Sequence, residues 1–180
     1  MLMPHSRRSA IRQFLFVSAG MALIPSCLQD KSKPAVELKN FSISTDQDSL
    51  LAELAESIIP KTTTPGAKDI SAHRFALKMM DDCRSKEDQQ KFLAGLAAFE
   101  KQAEKISGKS FLKQSAEERK AVLTEMEKDK ESKEDAVGFY RIMKRFTIQA
   151  YSSSEFFLTK VQVFELVPSR YHGCVPVKAA

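Results

Sequence analysis

The chain has 180 residues, of which 43% are hydrophobic and 28% charged, an ordinary composition for one globular domain with a single buried core. Three of its 28 basic residues, Arg7, Arg8 and Arg12, lie in the first 26 residues, which contain no acid. The rest carries 25 basic against 23 acidic residues, a net charge of only +2. Composition therefore excludes the electrostatic footprint of a nucleic-acid-binding protein.

Residues 1–26 have the pattern of an export signal and are set aside from the fold. The adjacent pair Arg7 and Arg8 precedes an apolar run of 11 residues, Phe14 to Ile24. This run is too short for a bilayer, whose hydrocarbon core of about 30 Å needs roughly 20 apolar residues. The segment resembles a twin-arginine signal, which exports folded proteins, often together with a cofactor-bearing partner. An ordinary Sec signal that happens to contain two arginines is the alternative.

The end of this segment, Ile24-Pro25-Ser26-Cys27, resembles the lipobox of a bacterial lipoprotein. It predicts lipidation of Cys27 and a periplasmic or cell-envelope protein held at the membrane, since each buried CH₂ contributes about 0.8 kcal/mol. The alternative is a soluble secreted protein cut near Ser26. Residues 27–44 are polar with little periodicity and are interpreted as a flexible tether.

From residue 45 onward, apolar residues recur at helical spacing in about five segments, which predicts one compact all-α domain over residues 45–180. Pro60 and Gly108 mark the ends of the first and third helices, and the tail from Val167 onward is expected to be extended. The predicted N-caps are Thr45, Asp69, Ser85, Ser115 and, for a short last helix, Ser154. The residues predicted to face inward are, helix by helix, Leu51, Leu54, Ala55 and Ile58; Ala72, Phe75, Ala76, Met79, Met80 and Cys83; Phe92, Leu93, Leu96, Phe99 and Ala103; Val122, Leu123 and Met126; Phe139, Tyr140, Met143, Phe146 and Ala150.

The sequence lacks the motifs that bind redox cofactors. It contains no Gly-x-Gly-x-x-Gly for a flavin and no Cys-x-x-Cys-His for haem c, and three cysteines are too few for a four-cysteine iron–sulfur cluster. We therefore predict no catalytic, cofactor-binding or metal-binding residue in this chain. A further hypothesis is that this chain is an enzyme whose site matches no recognised motif.

The histidines do not change this prediction. His73 near the start of the second helix is of a type that serves as a base or ligand, but a structural role is favoured. His172 and Cys174 offer two soft ligands, and His73 with Cys83 would complete a set of four on paper. No local pattern supports such a zinc site.

Two stretches carry a resemblance to a known family. Between Leu51 and Leu96 the chain contains Ala-Glu-Ser-Ile-Ile-Pro, Thr-Pro-Gly-Ala-Lys-Asp and Glu-Asp-Gln-Gln-Lys-Phe-Leu-Ala-Gly-Leu. Near its end it contains Tyr-Ser-Ser-Ser-Glu and Val-Pro-Ser-Arg-Tyr-His-Gly-Cys-Val-Pro. In this combination and order, residues 45–177 resemble the gluconate 2-dehydrogenase subunit 3 family.

The resemblance implies an exported, non-catalytic accessory subunit. Its partner would be a large FAD-dependent flavoprotein of the glucose–methanol–choline (GMC) type, acting on sugars, glucosides or sugar acids. A cytochrome with haem c would be a possible third subunit. The expected tasks are export, stabilisation and membrane attachment of the flavoprotein. The alternative is a free-standing envelope lipoprotein that binds a ligand or a cell-envelope component.

If Cys27 is lipidated, Cys83 and Cys174 remain, and an oxidising compartment permits a disulfide between them. It would close a loop of about 90 residues, which the chain-entropy model values at roughly 4–5 kcal/mol. The alternative is two separate thiols, with Cys83 buried in a helix face.

A docking hypothesis concerns the loop Lys61–Asp69 and the tail. Pro65 and Gly66 make this loop stiff, and the tail has no helical periodicity, so neither is explained by the domain's own core. We expect both segments to contact the flavoprotein, with Tyr171 as the anchor. The alternative is that they merely cover the core.

Overall fold

The computed structural model describes residues 37–128 and 135–162, together with Val167 and Cys174. Over these residues it contains five α-helices: α1, Thr45–Ile58; α2, Ala72–Cys83; α3, Lys86–Ser107; α4, Ala116–Lys128; and α5, Asp135–Ser152. A 3₁₀ turn, Phe111–Lys113, precedes α4, and a short π-helical turn, Phe157–Val161, follows α5. The prediction of an all-α domain of about five helices is confirmed.

Helix α5 is the centre of the domain, because α2 and α3 both pack along it. Four buried phenylalanines form a continuous row through this core. The ring centroids are 5.0 Å apart between Phe92 and Phe139, 5.5 Å between Phe99 and Phe139, and 5.1 Å between Phe99 and Phe111. These separations suit tilted and edge-on aromatic pairs, which add to the stabilisation from apolar burial.

The crossing of α3 and α5 depends on a glycine. A Cβ atom at Gly95 would lie 2.7 Å from Phe139 Cβ and 2.8 Å from the carbonyl oxygen of Asp135. Neither is the tip of a flexible side chain, so the two helices touch through their backbones here. Gly138, on the same α5, would have nothing within 4 Å of an added Cβ.

Several predicted helix boundaries are confirmed. The hydroxyls of Ser85, Ser115 and Ser154 accept hydrogen bonds from backbone N–H groups three residues later, each at 3.2 Å. Glu118 completes the capping box by accepting from the Ser115 N–H at 2.8 Å. Helix α3 ends at Gly108, whose φ of 73° lies in the left-handed region that glycine adopts easily.

Two predicted caps are wrong. Helix α1 is capped by Ser44, whose hydroxyl accepts from the Gln47 N–H while the Gln47 side chain accepts from the Ser44 N–H. Ser44 rather than Thr45 is the N-cap because Gln47, at the third helical position, completes a capping box with Ser44. Helix α2 begins after Ser71, which has a φ of 55° and makes no capping bond with its side chain. The Asp69 carboxylate instead accepts a hydrogen bond from the Gly66 N–H in the preceding loop.

The inward face of α2 differs from the predicted one. Ala72, Ala76 and Met80 are buried as expected, but Phe75 and Met79 are half-buried and Cys83 is exposed. The centre of the buried face carries Leu77 and two polar residues, His73 and Asp81. The buried face of α2 is therefore not its most apolar face. The helix is turned so that His73 faces Asp48 and Asp81 faces the backbone of residues 39 and 40.

Asp81 fixes the segment that precedes α1. Its carboxylate accepts from the backbone N–H of Lys39 and of Asn40, each at 2.8 Å, and from the Asn40 side chain at 3.1 Å. Burial alone would raise the pKa of Asp81, but these donors outweigh burial and lower it. Leu38 and Phe41 pack against the core. Residues 38–41, which were predicted from the sequence to lie in a flexible tether, are therefore bonded to α2 and packed on the core.

Candidate partner-docking site

The loop Lys61–Asp69, which joins α1 to α2, is closed by one carboxylate. Glu56, near the end of α1, accepts from the backbone N–H of Lys61 at 2.8 Å and from that of Lys68 at 3.0 Å. These two residues lie at opposite ends of the loop. The single side chain therefore fixes the loop to the helix that precedes it.

Gly66 lies directly against the Glu56 carboxylate. A Cβ atom there would lie 2.5 Å from Glu56 Oε1 and 2.7 Å from Cδ, so a side chain would displace the carboxylate from its two donors. The Gly66 N–H donates to Asp69 Oδ2 at 3.1 Å, and Lys61 Nζ lies 3.1 Å from the same oxygen. The Lys61 and Gly66 donors lower the pKa of Asp69 below its ordinary value.

Pro65 is bound from the other side of the loop. The Tyr151 hydroxyl, near the end of α5, donates to the Pro65 carbonyl at 3.0 Å. Ala67, which is fully buried, donates its N–H to the Ile59 carbonyl at 2.9 Å and packs in a small apolar cluster. Pro65 and Gly66 thus have a structural role within the domain. The surface that the loop offers to another molecule consists of exposed neighbours, residues 61–63, 68 and 69.

An apolar groove lies beside the loop. It has a volume of about 670 Å³, and its wall includes Ile70, Phe75 and Phe156, all half-buried. Its rim is polar, with Glu155 and Lys160 among the lining residues. An apolar floor with a polar rim is the usual anatomy of a surface that binds another protein. The loop and the groove together form the candidate docking site.

A charged cluster supports the other flank of the loop. Glu53 on α1 pairs with Lys68 of the loop and with Arg119 of α4. Arg119 also donates to the Phe111 carbonyl at 3.1 Å, and its guanidinium lies 5.4 Å from the Phe111 ring centroid. Burial alone would raise the pKa of Glu53, but the hydrogen bonds from Lys68 and Arg119 lower it overall. This network connects the loop to α1 and α4.

His73 is buried beside this cluster, with 5% of its surface exposed. Its Nε2 lies 3.5 Å from Asp48 Oδ1, and its Nδ1 has no hydrogen-bond partner within the described part of the chain. Burial lowers the pKa of His73 and Asp48 opposes this shift, so the imidazole is neutral at pH 7. Its surroundings are those of a packed interior side chain beside Asp48.

The cysteines are not brought together in the structure. Cys83 at the end of α2 and Cys174 in the tail are both exposed and unbridged. The disulfide remains a prediction, whereas the burial of Cys83 that the separate-thiol alternative assumed is wrong. Arg7, Arg8 and Cys27 of the export and lipidation predictions lie outside the described residues, as does Tyr171 of the docking hypothesis.

Two further observations concern the described residues alone. Within 37–128 and 135–162, no group of three or more His, Cys, Asp or Glu side chains is arranged to hold a metal ion. The helices in this part of the chain also lack the combination of length and apolarity that a bilayer crossing demands.

The described residues thus form an all-α domain with a closed surface loop and an adjoining apolar groove. Residues 45–168 match the family described as gluconate 2-dehydrogenase subunit 3, a stretch that includes all five helices. The chain belongs to this family. Comparisons with curated proteins and with solved structures found no match.

Family membership confirms the resemblance seen in the sequence. The chain is accordingly an accessory subunit of the subunit 3 type. Proteins of this type associate with the catalytic subunit of a dehydrogenase, in a complex that is associated with a membrane.

Proposed function

We propose that this chain is the non-catalytic small subunit of an FAD-dependent dehydrogenase of the GMC type that acts on sugars, glucosides or sugar acids. The observation that carries the proposal is the family match across the whole helical domain. In this proposal the flavoprotein supplies FAD and the catalytic residues, and a cytochrome with haem c accepts the electrons.

The proposed tasks of the chain are export, stabilisation and membrane attachment of the flavoprotein. The Arg7–Arg8 pair supports export of a folded complex, because a twin-arginine signal can carry a partner that has no signal of its own. Cys27 supports attachment, since one lipid chain gives only marginal membrane binding and a diacylglycerol gives more.

The candidate docking site supports stabilisation of the flavoprotein. The loop is held by Glu56 and Tyr151 before any partner arrives. A preorganised loop loses little conformational freedom on binding, so more of its contact energy appears as affinity. The adjoining groove offers half-buried aromatic and aliphatic side chains, and these are the groups that dominate protein interfaces. In the proposal the tail, with Tyr171, completes this surface.

We expect Thr63→Arg to weaken binding of the flavoprotein about tenfold or more without changing the stability of the isolated chain. Thr63 is exposed at the tip of the loop, so a long charged side chain there obstructs a partner but not the fold. The measurement is the Kd for the flavoprotein by titration calorimetry, alongside the midpoint of thermal unfolding.

The matched control is Thr124→Arg, the same change at an exposed position on α4. Equal affinities for the two variants would exclude the loop as a docking surface. Truncation after Leu166 tests the tail separately: loss of binding with unchanged thermal stability supports docking. A collapse of stability would show instead that the tail covers the core.

A further inference from the structure

A second surface lies at the other end of α2. A cleft of about 360 Å³ opens between the end of α2, the beginning of α3 and the middle of α5. Four of its seven lining residues are basic and one is acidic, and its apolar floor includes Met80. The lining residues are Met80, Arg84, Asp88, Lys91, Arg141, Ile142 and Arg145.

Two of the four basic residues in this cleft lie against one aromatic ring. The guanidinium of Arg84 lies 5.8 Å from the centroid of Phe146, and that of Arg145 lies 4.9 Å from it. Phe146 is 2% exposed and therefore rigid, so it holds two positive charges at the same mouth. Among the described residues, Arg84, Lys91 and Arg145 form no ion pair with a carboxylate. Their charge is available to an anion.

The chain enters the domain beside this cleft. The N–H groups of Lys39 and Asn40 are bound by Asp81, three residues before Arg84 on the same helix end. Cys27 precedes Glu37 by ten residues, which span at most about 35 Å when fully extended. A lipid on Cys27 would therefore hold this end of the domain near the bilayer.

The candidate docking site lies at the opposite end of α2. This helix has 12 residues, so its two ends are separated by about 18 Å. The loop Lys61–Asp69 precedes its first turn, whereas the cationic cleft surrounds its last turn. A membrane at the cleft would leave the loop and groove free for a partner protein.

We propose that the cationic cleft binds the headgroup phosphate of an anionic phospholipid and orients the domain on the membrane surface. The inference extends the membrane attachment in the proposed function and concerns a different set of residues from Cys27. Lysine and arginine supply the positive charge that anionic headgroups attract, and the apolar floor accommodates the glycerol end of the lipid. An acidic segment of a protein partner is the competing occupant, but the entry of the tether at the cleft favours the membrane.

The test uses the full chain with Cys27→Ser, so that no lipid is attached in any sample. Its partition is measured by sedimentation with vesicles of phosphatidylcholine alone and with vesicles that also contain phosphatidylglycerol. We expect partition into the anionic vesicles to be about tenfold stronger and to weaken as salt is added. Partition into phosphatidylcholine alone measures the contribution of the apolar segment in residues 14–24, which is common to every sample.

The test variant combines Lys91→Glu with Arg145→Glu, and the matched control combines Lys101→Glu with Lys120→Glu. All four positions are exposed and the two variants change net charge equally. The proposal predicts that only the first variant loses the preference for anionic vesicles, by about tenfold. Equal loss in both variants would mean attraction by net charge alone and would overturn it. The proposal would also be overturned if the Lys91→Glu, Arg145→Glu variant bound vesicles normally but no longer bound the flavoprotein. That result would assign the cleft to the protein partner. Neither result bears on the family assignment or on lipidation of Cys27.

Discussion

Replacing Gly95 with alanine is expected to lower the free energy of unfolding by about 2–3 kcal/mol, the cost of overpacking a tight core. The added methyl group would lie 2.7 Å from Phe139 Cβ and 2.8 Å from the Asp135 carbonyl oxygen. Relief requires moving α3 away from α5. Because Phe139 also packs on Phe92 and Phe99, such a movement disturbs the centre of the aromatic row.

Urea unfolding followed by circular dichroism measures this effect. The control is Gly138→Ala, which places a methyl group in open space on α5 and is expected to stabilise the protein by up to about 1 kcal/mol through helix propensity. The two substitutions are chemically identical and opposite in predicted sign. Stabilisation by both would contradict the close approach of α3 and α5.

The second large effect is expected at Asp81. Its replacement by alanine should cost about 3 kcal/mol, because two backbone N–H groups and one side-chain amide lose a charged acceptor together. Residues 37–41 would then detach, and the packing of Leu38 and Phe41 on the core would be lost. The change should therefore increase proteolysis before residue 45 as well as lowering stability.

The adjacent Asp82→Ala is the control. Asp82 is more exposed and pairs with Lys78 and Lys39 at the surface, so its removal should cost less than about 1 kcal/mol. The pKa of Asp81 is lowered on folding, so its contribution is present above its ordinary value of 3.8 and is lost as the pH falls through the folded value. The difference in unfolding free energy between wild type and Asp81→Ala should therefore shrink as the pH falls. Equal costs for Asp81→Ala and Asp82→Ala at pH 7 would contradict the account.

The helices and most of the core were predictable because each depends on a local signal. Phe92, Phe99, Phe139 and Met143 recur at helical spacing, and all are buried. Ser85 and Ser115 begin helices because each hydroxyl accepts a hydrogen bond from the backbone N–H three residues later, as the capping pattern predicts. Such features require only neighbours in sequence, so one chain is enough to recognise them.

The polar interior was not predictable for the opposite reason. His73 and Asp81 count as surface residues in any hydrophobic pattern, and only their partners 25 and 41–42 residues away, Asp48 for the first and Lys39 and Asn40 for the second, explain their burial. They turn α2 away from its most apolar stripe and leave Cys83 exposed.

The two proposed binding surfaces show the same limit. The closure of the loop by Glu56, against Gly66, can be recognised only when α1 and the loop are placed together in the fold. The cationic cleft draws on three helices, and the net charge of +2 after residue 26 gave no indication that four basic residues line one cavity. Both surfaces depend on tertiary structure and have no signature in a short stretch of sequence.

The central claim is that this chain works as the small subunit of a flavoprotein dehydrogenase, and purification from its own cells tests it most directly. The chain would be isolated from the envelope fraction in mild detergent through an affinity tag, and the visible absorption spectrum of the product recorded. The account predicts a large second polypeptide in the complex and flavin absorption that follows this polypeptide when the two are separated. A chain that elutes alone and colourless under these conditions, or that retains flavin by itself, would contradict the account.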